Sequence, residues 1–254
     1  MTLHTSHAHG SLSWADIGST DLPATTAFYC QLFGWETSEA PNQEESGGYG
    51  FFQLNGHNVA GYGPAHMPGV WWATYFATDD INDTVARVLD HGGAIIVPAM
   101  QVMDAGHMAV CADPSGAAFS LWQSGDHCGA QLTDEPGSLC WAELMTRDLD
   151  EARRFYPAVF GWTLGEPGDY QEFQLNGVSI GGLMAMPEMM PAEVPPNWGV
   201  YFAVADLNDS IDALNQAGGQ VMFGPQTAGE AGTFVTVCGP LNEVFSLIQL
   251  NTEG

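Results

Sequence analysis

Residues 11–35 read SLSWADIGSTDLPATTAFYCQLFGW, and residues 138–162 read SLCWAELMTRDLDEARRFYPAVFGW. Trp14 aligns with Trp141, Tyr29 with Tyr156 and Trp35 with Trp162, each 127 positions apart, and 11 of the 25 positions are identical. The correspondence continues in order along the chain. FQLNG stands at 52–56 and 173–177, and WWATYFATDDIND at 71–83 matches NWGVYFAVADLND at 197–209. HGGAIIVP at 91–98 matches AGGQVMFGP at 217–225, and DPSGAAFSLWQ at 113–123 matches GPLNEVFSLIQ at 239–249. A unit of roughly 125 residues is long enough to be a domain and too long for a solenoid repeat. The repeat predicts a flexible arm at 1–10, a first domain at 11–124, a linker at 125–137 and a second domain at 138–251. The linker region, SGDHCGAQLTDEPG, is rich in turn-forming residues.

Each copy carries the same local signals. LSWADI alternates as a half-buried strand does. Thr20 and Asp21 offer a helix N-cap, with Pro23 in the first turn, where a missing N–H costs little. That helix is expected to run to about Phe33 and stop at Gly34. GFFQL and VAGYG flank Asn55-Gly56, a strong hairpin signal. ATYFAT reads as a strand, and DDINDTVARVLDHGG as a capped amphipathic helix. AIIVP, HMAVCAD and AAFSLWQ read as strands, with a DPSG turn between the last two. Two consecutive β-α-β-β-β units per copy give an α+β fold.

Composition narrows the function classes. With 45% hydrophobic and 11% aromatic residues, the chain can build real cores. Thirty acids face four arginines and no lysine, for a net charge of −26. Such a chain repels phosphate backbones, so nucleic acid is excluded as a partner. The charge fits either attraction of cationic ligands or an acid-biased composition. No apolar run approaches the roughly 20 residues of a membrane span, so no membrane partner is expected. The segment MTLHTSHAHGS lacks the charged and apolar regions of a signal peptide, and its histidines read as a frayed, solvated arm. The five cysteines are scattered and form no CxxC, which fits a reduced cytoplasmic protein.

The order strand, DL-(x)n-FYxxxFGW, hairpin, strand-helix, DPxGxxF(S)L resembles the vicinal oxygen chelate superfamily, twice over. That superfamily includes glyoxalases, extradiol dioxygenases, fosfomycin-modifying enzymes and bleomycin-resistance proteins. The resemblance implies two tandem glyoxalase-like domains with curved mixed sheets around a cavity. It also implies metal ligands at two kinds of position. One lies seven residues before the Asp that opens the helix, which here is Trp14 or Trp141. The other lies four residues after the glycine slot of DPxG, which here is Ser120 or Ser246. The strand where dioxygenase-like members place a histidine carries Ala73 or Tyr75, and Gly199 or Tyr201. Indole offers no lone pair, and a serine hydroxyl is a poor ligand for a transition metal. No metal and no other cofactor is therefore predicted, with a displaced site from Asp16, Glu143 and a histidine as the alternative.

Strand alternation separates the faces. Ala15, Ile17, Ala142 and Leu144 should pack on the helices, and Trp14, Asp16, Trp141 and Glu143 should face the other way. Ser120, Trp122, Ser246, Tyr75 and Tyr201 fall on that same side. The predicted cavity is thus aromatic with a few polar groups, the usual make-up of a small-molecule site. Trp14 and Trp141 read as pocket wall or as core. Asp16 and Glu143 read as cavity carboxylates or as hydrogen-bonded strand residues, since an unpartnered buried carboxylate is costly. His57 and His107 read as surface histidines.

Three function classes fit. The first is metal-independent binding of a small aromatic or hydrophobic molecule, cationic ones included, as in drug-binding members of the family. The second is a metal-free isomerase, cyclase or lyase of secondary metabolism. There Asp16 or Glu143 is the base, and Tyr75 or Tyr201 donates to a developing oxyanion. The third is a metal-dependent glyoxalase or dioxygenase. The expected assembly is a monomer or homodimer.

Overall fold

Asp21 caps the first helix by accepting from Ala24 N, and Gly34 ends it in the left-handed conformation that glycine tolerates best. Asn55-Gly56 and Asn176-Gly177 both take positive φ, so each closes a tight hairpin. These local signals set the frame of a computed structural model that describes residues 3–66 and 69–251. The first copy runs β1 (Leu12–Ser19), α1 (Leu22–Phe33), β2 (Glu36–Glu39), α2 (Gln43–Ser46), β3 (Gly50–Leu54), β4 (His57–Pro64), β5 (Trp71–Ala77), α3 (Ile81–Asp90), β6 (Ala94–Val102), β7 (Gly106–Ala112) and β8 (Ala118–Ser124). The second runs β9 (Leu139–Thr146), α4 (Leu149–Phe160), β10 (Thr163–Leu164), β11 (Tyr170–Leu175), β12 (Val178–Ala185), β13 (Asn197–Ala203), α5 (Leu207–Gln216), β14 (Gln220–Ala228), β15 (Gly232–Cys238) and β16 (Val244–Leu250). The strand ETSE of β2 is short and polar, and no sequence pattern announced it.

Each copy forms one eight-stranded mixed sheet, in the orders β2-β3-β4-β1-β5-β8-β7-β6 and β10-β11-β12-β9-β13-β16-β15-β14. β1 pairs parallel to β4 and antiparallel to β5, which pairs parallel to β8. Two β-α-β-β-β units thus meet at β1 and β5, and the second copy repeats this at β9 and β13. Among the described residues no helix is long and apolar enough to cross a membrane.

The cores do not belong to the copies. One joins Ile17, Phe28, Tyr29, Trp35 and Phe52 of the first copy to Val200, Phe202, Leu214, Phe245 and Leu247 of the second. The other joins Phe76, Val88, Phe119 and Leu121 to Leu144, Phe155, Tyr156, Trp162 and Trp198. The first unit of each copy therefore packs on the second unit of the other. Polar links follow the same exchange. Trp35 Nε1 donates to Gly137 O at 2.8 Å, and Trp162 Nε1 donates to Gly10 O at 2.9 Å. Trp198 Nε1 donates to Tyr156 Oη at 2.9 Å, and that hydroxyl donates to Asp113 Oδ2 at 3.1 Å. In the mirror position Trp72 donates to Tyr29, which donates to Glu243 Oε1 at 3.4 Å.

The segment expected to fray as an arm is tied down from Leu3 to Gly10, while Met1 and Thr2 lie outside the described residues. His4 N donates to Gln131 O, His7 Nε2 lies 2.8 Å from Ala130 O, and Gly10 N donates to Ala77 O. Donors that a sequence pattern shows as free here find partners in the linker and in β5.

Two expectations follow. Expressed alone, residues 11–124 should not yield a folded monomer, because both of their apolar faces lose their cover. A monomeric fragment with a sharp urea transition would overturn the shared-core account. In the full chain, Tyr156→Phe should cost about 1–3 kcal/mol in urea melts, since it strips Trp198 and Asp113 of a buried partner.

Candidate functional site

β1 sends Ala15 and Ile17 into the shared core and turns Trp14 and Asp16 to the opposite face. There Asp16 Oδ2 accepts from Tyr75 Oη at 2.8 Å and from Tyr49 Oη at 3.0 Å. Trp14 Nε1 donates to Tyr49 Oη at 2.9 Å, and the Tyr75 hydroxyl also bonds Ser120. Trp14, Tyr75 and Trp122 form a small cluster with Ala130. The second sheet repeats the pattern. Trp141 Nε1 donates to Tyr170 Oη at 2.9 Å, and Tyr201 Oη donates to Glu143 Oε1 at 3.1 Å. Tyr170 also bonds Glu143, and Tyr201 bonds Ser246.

The structure thus brings the nine sequence-predicted site residues together as two separate sets. Trp14, Asp16, Tyr75, Ser120 and Trp122 lie on one sheet, and Trp141, Glu143, Tyr201 and Ser246 lie on the other. The two sets sit on faces turned away from the shared cores, because their strand neighbours fill those cores. A joint site from Asp16, Glu143 and a histidine does not form. Among the described residues no three His, Cys, Asp or Glu side chains are grouped to hold a metal. The first-copy face also corrects the expected open cavity: Trp14 is 3% exposed, and Tyr75, Trp122 and Ser120 are buried by packing on one another.

Three participants lay outside the sequence reading. Tyr49 and Tyr170 are 121 positions apart, the same offset as the FQLNG pair, so the repeat register held the signal. Their rings pass over Gly61 and Gly182, where a Cβ would collide with the tyrosine hydroxyl. The third is His127, in the linker. Its ring meets Trp14 at 4.7 Å, Phe51 at 5.2 Å and Trp122 at 5.7 Å between centroids. Its carbonyl accepts from Trp122 Nε1, and its Nε2 is buried without a hydrogen-bond partner among the described residues. Burial pushes its imidazole down to about 4. No repeat partner or motif marked this histidine.

The electrostatics follow from burial. Asp16 keeps some accessible surface, yet the protein packed around its carboxyl pushes it up to about 6, against the two phenol donations. Glu143 is raised for the same reason, opposed by Tyr201 and Tyr170. The four tyrosines are raised by burial and by the adjacent carboxylates, so they remain donors at working pH. Each set is a carboxyl group of raised pKa held by two neutral phenols, beside an indole.

Comparison with known proteins places the chain in a class. The family model for the Glyoxalase/Bleomycin resistance protein/Dioxygenase superfamily matches residues 11–121 and again 138–243. The chain belongs to that superfamily. A Mycobacterium tuberculosis protein, CFP32, whose name classes it provisionally as a glyoxylase, is 36% identical over 260 residues, 98% of each chain. The anthracycline biosynthesis protein DnrV of Streptomyces peucetius is 34% identical over 267 residues, 97% of this chain and 95% of that one. Among solved structures, the 2,3-dioxygenase LapB of Pseudomonas sp. KL28 superposes with a TM-score of 0.68 at 15% identity, covering 97% and 95%. The Mn(II)-bound glyoxalase of Novosphingobium aromaticivorans gives 0.67 at 16%, covering 97% and 86%. These two likenesses are of fold.

The metal that such a fold implies does not fit the groups present. Each set offers one carboxylate, and in the first both phenol donors converge on a single oxygen of it. The indole nitrogen donates rather than accepts. Ser120 is engaged by Tyr75, and Ser246 by Thr236 and Tyr201. A catalytic metal needs about three converging ligands, and neither set supplies them.

The raised Asp16 pKa carries a stability consequence. Folding favours the protonated form, so this group's favourable contribution is present below about pH 4 and is lost as pH rises through about 6. Asp16→Asn, whose amide oxygen can accept both phenols, should stabilise the fold by about 1–3 kcal/mol near pH 8 and change little near pH 4. Urea melts of both proteins at the two pH values check this. A loss of stability near pH 8 would show that the ionised carboxylate is favoured.

Proposed function

We propose that the chain binds a small planar aromatic molecule without a metal, on the face that carries the Trp–Tyr–carboxylate–Tyr set. The observation that carries this reading is the set itself, present twice where relatives of this fold are expected to hold metal. An indole and two phenols offer stacking surface and hydrogen-bond donors, and the carboxylate favours a ligand bearing an amine or hydroxyl. The likeness to an anthracycline biosynthesis protein supports a fused-ring aromatic as the ligand class, within secondary metabolism. The net charge of −26 favours cationic members of that class.

Metal-free catalysis is the second reading, favoured by one observation. A carboxyl pushed up to about 6 between two phenol donors suits proton transfer near neutrality. In that case Asp16 or Glu143 removes a proton, and Tyr75 or Tyr201 donates to the oxygen that gains charge.

Daunorubicin, flat and carrying a protonated amine, is a suitable probe. In the presence of EDTA it should quench tryptophan emission saturably, and Trp14→Leu/Trp141→Leu together should weaken binding about tenfold or more. Absence of saturable quenching, or quenching that appears only with added divalent metal, would refute metal-independent binding. Turnover of a fused-ring substrate that is lost in Glu143→Gln or Asp16→Asn, with binding retained, would move the second reading ahead of the first.

A further inference from the structure

The two faces share a frame but not an inventory. In register across the first sheet run Phe51, Gly61, Asp16 and Ala73. Across the second run Glu172, Gly182, Glu143 and Gly199. The repeat also sets Ile248 where the first copy has Trp122. At three positions the first copy carries the larger apolar group. Two of those groups, Phe51 and Trp122, stand with Trp14 around an imidazole, that of His127. The linker backbone holds it there, with His127 N donating to Ala105 O and Ala130 N donating to Ser13 O at 2.7 Å.

His127 meets the Trp14 indole in a T-shaped contact, 83° between ring planes, and so occupies the recess beside it. Trp14 is 3% exposed, whereas Trp141 is only part-buried and its partner Tyr170 is 43% exposed. The buried Nε2 of His127, without a hydrogen-bond partner among the described residues, is a second sign of occupancy. A polar atom with no hydrogen bond gains nothing from that position, so ring packing and the linker's backbone bonds keep it in place. A flat heteroaromatic ring in an aromatic recess, with an unsatisfied nitrogen, is placed as a bound ligand would be.

We propose that His127 fills the first copy's aromatic recess as a built-in ligand, so that the chain takes one external planar aromatic molecule, at Trp141 and Tyr170 of the second copy. This rests on the reading of the chain as a binder of planar aromatics. The first copy then serves as a closed twin, and its recess accepts an aromatic ring only when the linker imidazole is gone.

Stoichiometry tests this on the full chain. Calorimetric titration with daunorubicin should give one equivalent for the natural chain. Trp141→Leu should weaken that event about tenfold or more. His127→Gly should bind a second equivalent, and free imidazole should compete for that second event alone. His127→Ala serves as the second variant, and near-ultraviolet circular dichroism confirms that each variant is folded. Two equivalents for the natural chain would overturn the proposal. So would full binding in Trp141→Leu, or a single equivalent in both folded His127 variants. Those results leave aromatic binding itself intact. No saturable binding by the natural chain removes the binding reading and this proposal together.

Discussion

The exchange of units between the two copies is the constraint on which the structure depends. Each β-α-β-β-β unit has one apolar face, and a single copy cannot cover both of its own. Phe33 and Trp72 reach Phe202 across the divide at 5.3 and 5.0 Å, and Phe76 reaches Trp198 at 4.9 Å. The tryptophans of the FGW motifs then fasten each copy's helix end to the backbone that opens the other's first strand. This is why the opening stretch is written twice. Fold stability rests on the inner faces, and the outer faces of β1 and β9 are left free to vary.

That freedom is visible in the side chains. The outer faces carry indoles, phenols and carboxyl groups, a set that suits organic molecules better than metal ions. Asp16 and Glu143 are held by phenols rather than by cations, and burial raises both toward neutrality. Asp16 is pushed up to about 6, and it retains some exposed surface. The family relation sets the architecture, and the function follows from the particular residues on these faces.

Much of this was legible in the sequence because repeats and alternation are strong signals. The two sheets, the helix caps, the Asn-Gly hairpins and the separation of Ala15 and Ile17 from Trp14 and Asp16 all follow from local rules. The swapped packing was not legible, since hydrophobic pattern shows that a face is buried and not against which partner. Tyr49 and Tyr170 were within reach through the 121-residue offset, yet they stand at the edges of their strands, where propensity is silent. His127 had no signal. Its position depends on the linker's return to Ser13, Asn58 and Ala105, which are contacts of long sequence separation.

One detail of the cross-copy links bears on how the two halves have parted. The first copy supplies its buried carboxylate from Asp113, at the head of the turn, where Oδ1 also gathers Ser115 N and Ala117 N. The second copy has glycine there, Gly239, and brings a carboxylate back from Glu243, four residues later. A Cβ on Gly239 would strike that returning side chain. The same acid thus comes from two different positions: Asp113 stands at the head of its turn, and Glu243 reaches back over Gly239 to fill that place, so an aspartate introduced at 239 would meet the Glu243 carboxylate.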